Sequence, residues 1–297
     1  MNIKRFVSGI ILFPIFAVII IFGNKYLVDV FISIIAIMSL HEFYKAFKGK
    51  ANPIQWIGYV TAGLICFIHL IPNEYVLPAT TLIILFNILA LFTQVVVTNM
   101  KNNITDIAIS LFGVCYIVFF LMFAPLIRDS LNNGKILIWY VFFAAWGTDI
   151  FAYLIGKNFG KHKFTELSPN KSIEGCLGGV FGSILLVMIY TWVCNTYWNM
   201  NINYAYAFGI SIFLSVISQI GDLAASSVKR HCGIKDYSNL IPGHGGILDR
   251  IDSVIFILPF AYFLLSIIWY KNPSHRAYRY ILCSPSIRTK YISTTWD

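Results

Sequence analysis

The chain has 297 residues, of which 58% are hydrophobic and 12% charged, where a soluble domain carries about 25% charged residues. That composition, with a mean hydropathy of +0.73, excludes a soluble globular protein, and no stretch between the apolar runs is long enough for a large soluble domain. The formal net charge of +9 fits basic loops facing anionic lipid; no basic, aromatic-interleaved module is present, so no nucleic-acid partner is expected.

Nine apolar runs near the ~20-residue spanning length follow one another, at 6–23, 27–40, 54–71, 76–97, 107–126, 136–156, 177–193, 205–224 and 251–270. Lys4 and Arg5 precede the first as they would in a secretory signal, but no small-residue cleavage site follows and another apolar run begins at once. It is read as a retained helix. The second run is short for a span, so it is tilted, re-entrant or longer than its apolar core. It closes on His41 and Glu42 in LHEFYKAF, a pair expected at the interface rather than in chemistry. The six cysteines are scattered without a CxxC and read as small apolar fillers. The predicted fold is therefore all-α, a polytopic integral membrane protein with about nine transmembrane helices. Residues 1–135 supply N-terminal helices, 136–270 a catalytic transmembrane region with polar loops at 157–176 and 225–250, and 271–297 a polar tail with no catalytic role.

Cations orient the chain. With the N-terminus inside, the inner loops hold 14 Lys and Arg residues and the outer loops only Lys25, Arg128 and Lys135, as the positive-inside rule requires. Both polar loops then face the cytoplasm. The tail, with Lys271, Arg276, Arg279, Arg288 and Lys290, runs against this pattern if the last helix crosses.

The sixth run leads into the first polar loop. Asp149, Tyr153, Gly156 and Gly160 recur at helical spacing, and small residues so placed usually serve close helix packing. The loop then reads SPNKSIEG, with Ser168, Lys171, Ser172 and Glu174. Ser172 can cap a helix, and Lys171 beside hydroxyls suits a nucleotide or phosphate contact. Asp222 ends the eighth run, and Lys229 lies seven residues on, so a continuing helix puts both on one face. The second loop, Ser226 to Asp252, is the most informative stretch: SSVKRHCGIKDYSNLIPGHGGILDRID. Lys229, Arg230 and Lys235 suit phosphate oxygens. Gly243, Gly245 and Gly246 let backbone amides approach an anion, and the turn opens a helix whose positive end points the same way. His244 is read as a substrate contact. Asp249 and Asp252 share a helical face. Carboxylates beside hydrocarbon are costly unless paired or bound to a cation, so they are functional by default. Cations beside carboxylates at a membrane surface suggest chemistry on a phosphorylated substrate with a divalent metal.

These residues closely resemble the signature of the bacterial phosphatidate cytidylyltransferases, or CDP-diglyceride synthetases. Ser226, Lys229–Arg230, Lys235–Asp236, Pro242, His244–Gly245–Gly246 and Asp249–Arg250–x–Asp252 stand at that family's spacing. Asp149, Ala152, Tyr153 and Gly156, then Ser168, Pro169, Lys171, Ser172, Glu174 and Gly175, match its upstream elements. The strong likeness covers roughly 140–260; the tail departs from the family. The resemblance implies transfer of CMP from CTP to phosphatidic acid, with Mg²⁺ on Asp222, Asp249 and Asp252, room for a second, monovalent ion, and a homodimer. It implies catalytic roles for Asp222, Lys229, Arg230, His244, Asp249 and Asp252. Substrate contacts would come from Lys171, Ser172, Glu174, Ser226, Ser227, Lys235, Gly245, Gly246 and Arg250. It also places the protein in the bacterial plasma membrane with its site on the cytoplasmic side. Two other readings compete: a CTP-dependent polyprenol or phytol kinase, which would release CDP, and an anion transporter, which would show repeat symmetry that this chain lacks.

Overall fold

The computed structural model describes residues 14–99, 101–165, 168, 171–241, 243 and 245–271. Its described elements are helices in chain order: α1 (14–22), α2 (Lys25–Ala46), α3 (Gln55–Leu70), α4 (Asn73–Val97), α5 (Ile104–Ser130), α6 (Gly134–Phe159), α7 (Ile173–Tyr197), α8 (Tyr204–His231) and α9 (Leu248–Lys271). No strand occurs among the described residues; the β-type pairing is two isolated bridges, Lys163 with Ser172 and Ile241 with Gly245. Seven of these helices, α2 and α4 to α9, are long and apolar enough to cross a membrane. Two of the nine expected runs are outside that set. The run at 6–23 lies partly outside the described residues, and α3 is shorter, its second half tightening to a 3₁₀ helix over Ile65–Leu70. The second run is longer than its apolar core: α2 spans 22 residues. Apart from Lys271, the polar tail lies outside the described residues.

Local chemistry sets the helix starts. Asn24 accepts the Leu27 amide at 2.7 Å and begins α2. Asn103 and Asp106 exchange side-chain and backbone bonds of 3.0 and 2.9 Å in a reciprocal cap for α5, satisfying donors that the first helical turn leaves open. Asn203 caps α8 and Ser172 caps α7. Midway, α5 widens to π turns over Val114–Phe119 and Leu126–Ser130, the second directly after Pro125, whose missing N–H interrupts the regular ladder.

The pair α6 and α7 packs most closely, and glycine is the reason. A Cβ on Gly147 would stand 2.7 Å from the Gly182 carbonyl oxygen, and one on Gly182 would collide with the Phe151 ring. Gly156 lies against Ser172 and Gly175, so the small stripe on α6 serves helix approach. Gly182→Val should therefore destabilise the bundle by roughly 1–3 kcal/mol, the usual range for overpacking, read as a lower thermal midpoint in detergent. Helices α8 and α9 pack on this pair, and the C-terminal end of α2 reaches α9. By contrast α4 exposes Leu82, Leu85, Phe86 and Leu89; it is tied to α3 by Thr61 and Asn87, whose side chains bond at 2.8–3.0 Å. An outward apolar face suits a lipid surround.

Candidate active site

Four helix ends meet at one end of the bundle: the C-terminal parts of α6 and α8, and the N-termini of α7 and α9. They enclose a cavity of ≈ 390 Å³ lined by Thr148, Asp149, Ala152, Tyr153, Lys171, Ser172, Gly175, Cys176, Gln219, Asp222, Lys229, Asp236, Asp249, Arg250, Asp252 and Ser253. Two helix N-termini turn their positive dipole ends toward one cavity; their first amides already have acceptors, Ile173 the His162 carbonyl and Gly175 the Ser172 hydroxyl at α7, and Gly246, Ile247 and Leu248 two carboxylates at α9.

Each lysine in the cavity holds a carboxylate. Lys171 Nζ is 2.5 Å from Asp222 Oδ2. Lys229 Nζ donates to Asp249 Oδ1 at 2.9 Å and lies 3.6 Å from Asp252 Oδ2. The Lys229 ammonium also sits 5.5 Å from the centre of the Tyr237 ring. Burial, followed by the charges of Asp252 and Asp249, pushes the Tyr237 phenol well above its ordinary value, so it stays neutral beside the carboxylates.

Asp249 organises the loop that precedes it. Its Oδ2 accepts the Tyr237 amide at 2.8 Å and the Gly246 amide at 2.9 Å, so the carboxylate is held by two backbone donors and one ammonium. Gly245 has φ +83°, a left-handed turn that disfavours residues with a Cβ. A Cβ on Gly246 would collide with the carboxylate of Glu42. Glu42, near the end of α2, is 4% exposed and accepts from Ser238 Oγ at 2.6 Å, the Ile247 amide at 3.1 Å and the Leu248 amide at 2.9 Å.

On the other side, Ser172 Oγ caps α7 by accepting the Gly175 amide at 3.0 Å. Glu174 accepts from the His162 ring at 2.6 Å and from the Lys161 and His162 amides at 3.1 and 3.3 Å. It ties down the start of the first polar loop.

Of the residues singled out in the sequence, Lys171, Ser172, Asp222, Lys229, Asp249, Arg250 and Asp252 come together in the cavity wall. Ser226, Ser227, Arg230, Lys235, Glu174, Gly245 and Gly246 do not line it. Arg230 instead donates to the Ile234 carbonyl at 3.2 Å, and Glu174 and Gly246 face His162 and Glu42, as described above. His244 lies outside the described residues. Of the His41–Glu42 pair expected at the interface, His41 is exposed and bonds the Tyr59 hydroxyl at 2.9 Å, whereas Glu42 is buried against the loop beside Asp249. Its sequence signal was a carboxylate between Leu40 and Phe43 on an apolar helix, a placement costly without partners. Gln219, Thr148 and Ser253 also line the cavity; as ordinary polar residues within apolar helices, they carried no signal of their own.

Among the described residues no three Asp, Glu, His or Cys side chains stand close enough together to hold a metal by themselves. The expected trio Asp222, Asp249 and Asp252 is spread across the cavity and engaged by Lys171 and Lys229. The donor set nevertheless suits a hard cation that shares its coordination with substrate phosphates, the way Mg²⁺ is usually bound. Five carboxylates (Asp149, Asp222, Asp236, Asp249, Asp252) face three cations (Lys171, Lys229, Arg250) across the wall, so anionic ligands would add to a negative surplus.

The cytidylyltransferase family model matches residues 3–268. A Bacillus subtilis (strain 168) protein named phosphatidate cytidylyltransferase is 33% identical over 270 residues, covering 89% of this chain and 97% of that protein. A Staphylococcus aureus (strain COL) protein of the same name is 35% identical over 271 residues, covering 88% and 98%. The shared sequence runs through the helices that build the cavity, and the chain belongs to the cytidylyltransferase family.

Proposed function

We infer that the protein is a phosphatidate cytidylyltransferase: it transfers CMP from CTP to phosphatidic acid, giving CDP-diacylglycerol and pyrophosphate. The observation that carries this reading is the cavity at the bundle end where two helix N-termini meet lysine–aspartate pairs, within a chain of this family. In the reaction an oxygen of the lipid phosphate forms a bond to the α-phosphorus of CTP, and the bond from that phosphorus to the β-phosphate bridging oxygen breaks. Pyrophosphate leaves with the electron pair. Bringing two anions together is the main barrier, so positioning and charge neutralisation dominate.

Lys171, Lys229 and Arg250 supply mobile positive charge, and the N-terminal dipole ends of α7 and α9 supply a fixed positive field. The lysines pair with carboxylates in the cavity wall, and their flexible four-carbon stems allow the ammonium groups to turn to phosphate oxygens. Asp222, Asp249 and Asp252 would hold a Mg²⁺ ion, which would supply neutralisation of phosphate charge. Asp249, already holding two amides, has the least freedom to reorient. The acyl chains can remain in the bilayer while the head group enters at the helix ends. The distribution of Lys and Arg along the chain supports a cytoplasmic site in the plasma membrane.

The test is a mixed-micelle assay of purified protein with labelled CTP, phosphatidic acid and Mg²⁺. Lipid-soluble label with equimolar pyrophosphate is expected. Release of CDP with a phosphorylated lipid would instead mark a kinase.

A further inference from the structure

We propose that Glu42, seconded by Lys50, is a positioning residue for the transfer reaction, so that the cytoplasmic end of α2 is a working part of the catalytic centre. The proposal rests on the cytidylyltransferase reading, because the group Glu42 would position is Asp249.

The connection between α8 and α9 carries Asp236 and leads directly into Asp249 and Arg250, all in the cavity wall. Both of its ends are gripped from α2 and the turn that follows it. At the exit of α8, the Lys50 ammonium donates to the His231 carbonyl oxygen, and Phe47 packs its ring against His231 at 6.2 Å. At the entrance of α9, Glu42 takes the Ile247 and Leu248 amides. The charges match the helix ends they meet: a cation at the C-terminus of α8 and an anion at the N-terminus of α9.

Three successive amides, Gly246, Ile247 and Leu248, therefore donate to two carboxylates. One belongs to Asp249, adjacent in sequence; the other is some two hundred residues away. The same Glu42 also accepts the Ser238 hydroxyl from the near side of the loop, closing the loop on itself. Gly246 has no side chain where Glu42 sits. Glu42 does not line the cavity and touches no substrate position; its effect passes through the peptide units that place Asp249 opposite Lys229. Small displacements of reacting groups are enough to matter, since about 1 Å of misplacement can cost roughly 10²-fold in rate.

Glu42→Gln keeps the shape and puts an NH₂ where an oxygen accepted. In full-length protein it should lower kcat roughly 10- to 100-fold, with KM for CTP and for phosphatidic acid little changed. Amide hydrogen exchange should rise at 245–248 and stay unchanged along the α6–α7 contact. Wild-type kcat, or unchanged exchange at 245–248, would overturn the proposal, as would exchange rising across the whole bundle with normal kcat in the folded fraction. If that variant does not accumulate in folded form, Lys50→Met serves. It should raise exchange at 229–234 and lower kcat with KM unchanged, and wild-type values on both would overturn the proposal. If wild-type protein makes no CDP-diacylglycerol, the activity reading fails on its own, while the exchange comparison still decides whether Glu42 holds the loop.

Discussion

Asp249→Asn should abolish nearly all CDP-diacylglycerol formation while leaving the helical bundle folded. Asp249 is 7% exposed and every bond it makes uses its negative charge: Lys229 at Oδ1, and the Tyr237 and Gly246 amides at Oδ2. An asparagine must turn an NH₂ either toward an ammonium or toward two N–H groups. In both orientations a buried donor is left unpaired, and Lys229 loses the nearer of its two counter-charges. Breaking a buried pair from one side costs about 3–5 kcal/mol. Expressed in the transition state, that is a factor of roughly 10² to 10⁴ in rate. The check is the initial rate in mixed micelles, with size-exclusion elution in detergent to establish folding. Normal kcat would show that the carboxylate charge is not required.

Lys229→Met is expected to be of similar size and to act on binding as well. Methionine keeps the unbranched stem that packs near Tyr237, so the loss is the ammonium. Without it Asp249 and Asp252 face each other across the cavity with no cation between them, and the triphosphate loses one of three positive side chains in the wall. The kcat/KM for CTP should fall at least about 10²-fold, with KM for CTP raised, because the ammonium would meet phosphate in both ground and transition states. Lys229→Arg should recover only part, since a planar fork does not sit between two carboxylates as a compact ammonium does. The variant carrying both Asp249→Asn and Lys229→Met should be scarcely worse than either alone, because residues that act as one unit are non-additive. Multiplying effects would show that the two residues work separately.

Much of this site was legible beforehand because charged residues are scarce in an apolar chain. Asp222, Lys229, Asp249 and Asp252 stood out against hydrocarbon, and the seven-residue spacing of Asp222 and Lys229 already placed them on one helical face. The same reasoning overreached along the second loop. Arg230 and Lys235 have the right chemistry for phosphate, but a residue's charge does not say which way a turn directs it, and both stand outside the cavity wall. Glu174 looked like a phosphate-loop residue and is spent on His162 and two amides. Seven of the nine expected membrane runs are helices long and apolar enough to span; the 3₁₀ half of α3 and the π turns of α5 carry no hydropathy signal, because hydropathy does not register the hydrogen-bond pattern within a helix.

The sequence by itself determined the class of the protein, the helices that carry its chemistry and most of the charged residues in the cavity, because apolar runs have no alternative to spanning helices and isolated carboxylates there need a partner. Only the tertiary structure decided who the partners are. Lys171, in the loop before α7, pairs with Asp222 on α8, Lys229 bridges Asp249 and Asp252, and Glu42 reaches the entrance of α9 from the far end of the chain. The physical reason is that a carboxylate's need for a partner is local and visible in the sequence, whereas the donor that meets it is set by how helices distant in the chain pack, and glycines such as Gly147, Gly182 and Gly246 allow that approach only once the partners are in place.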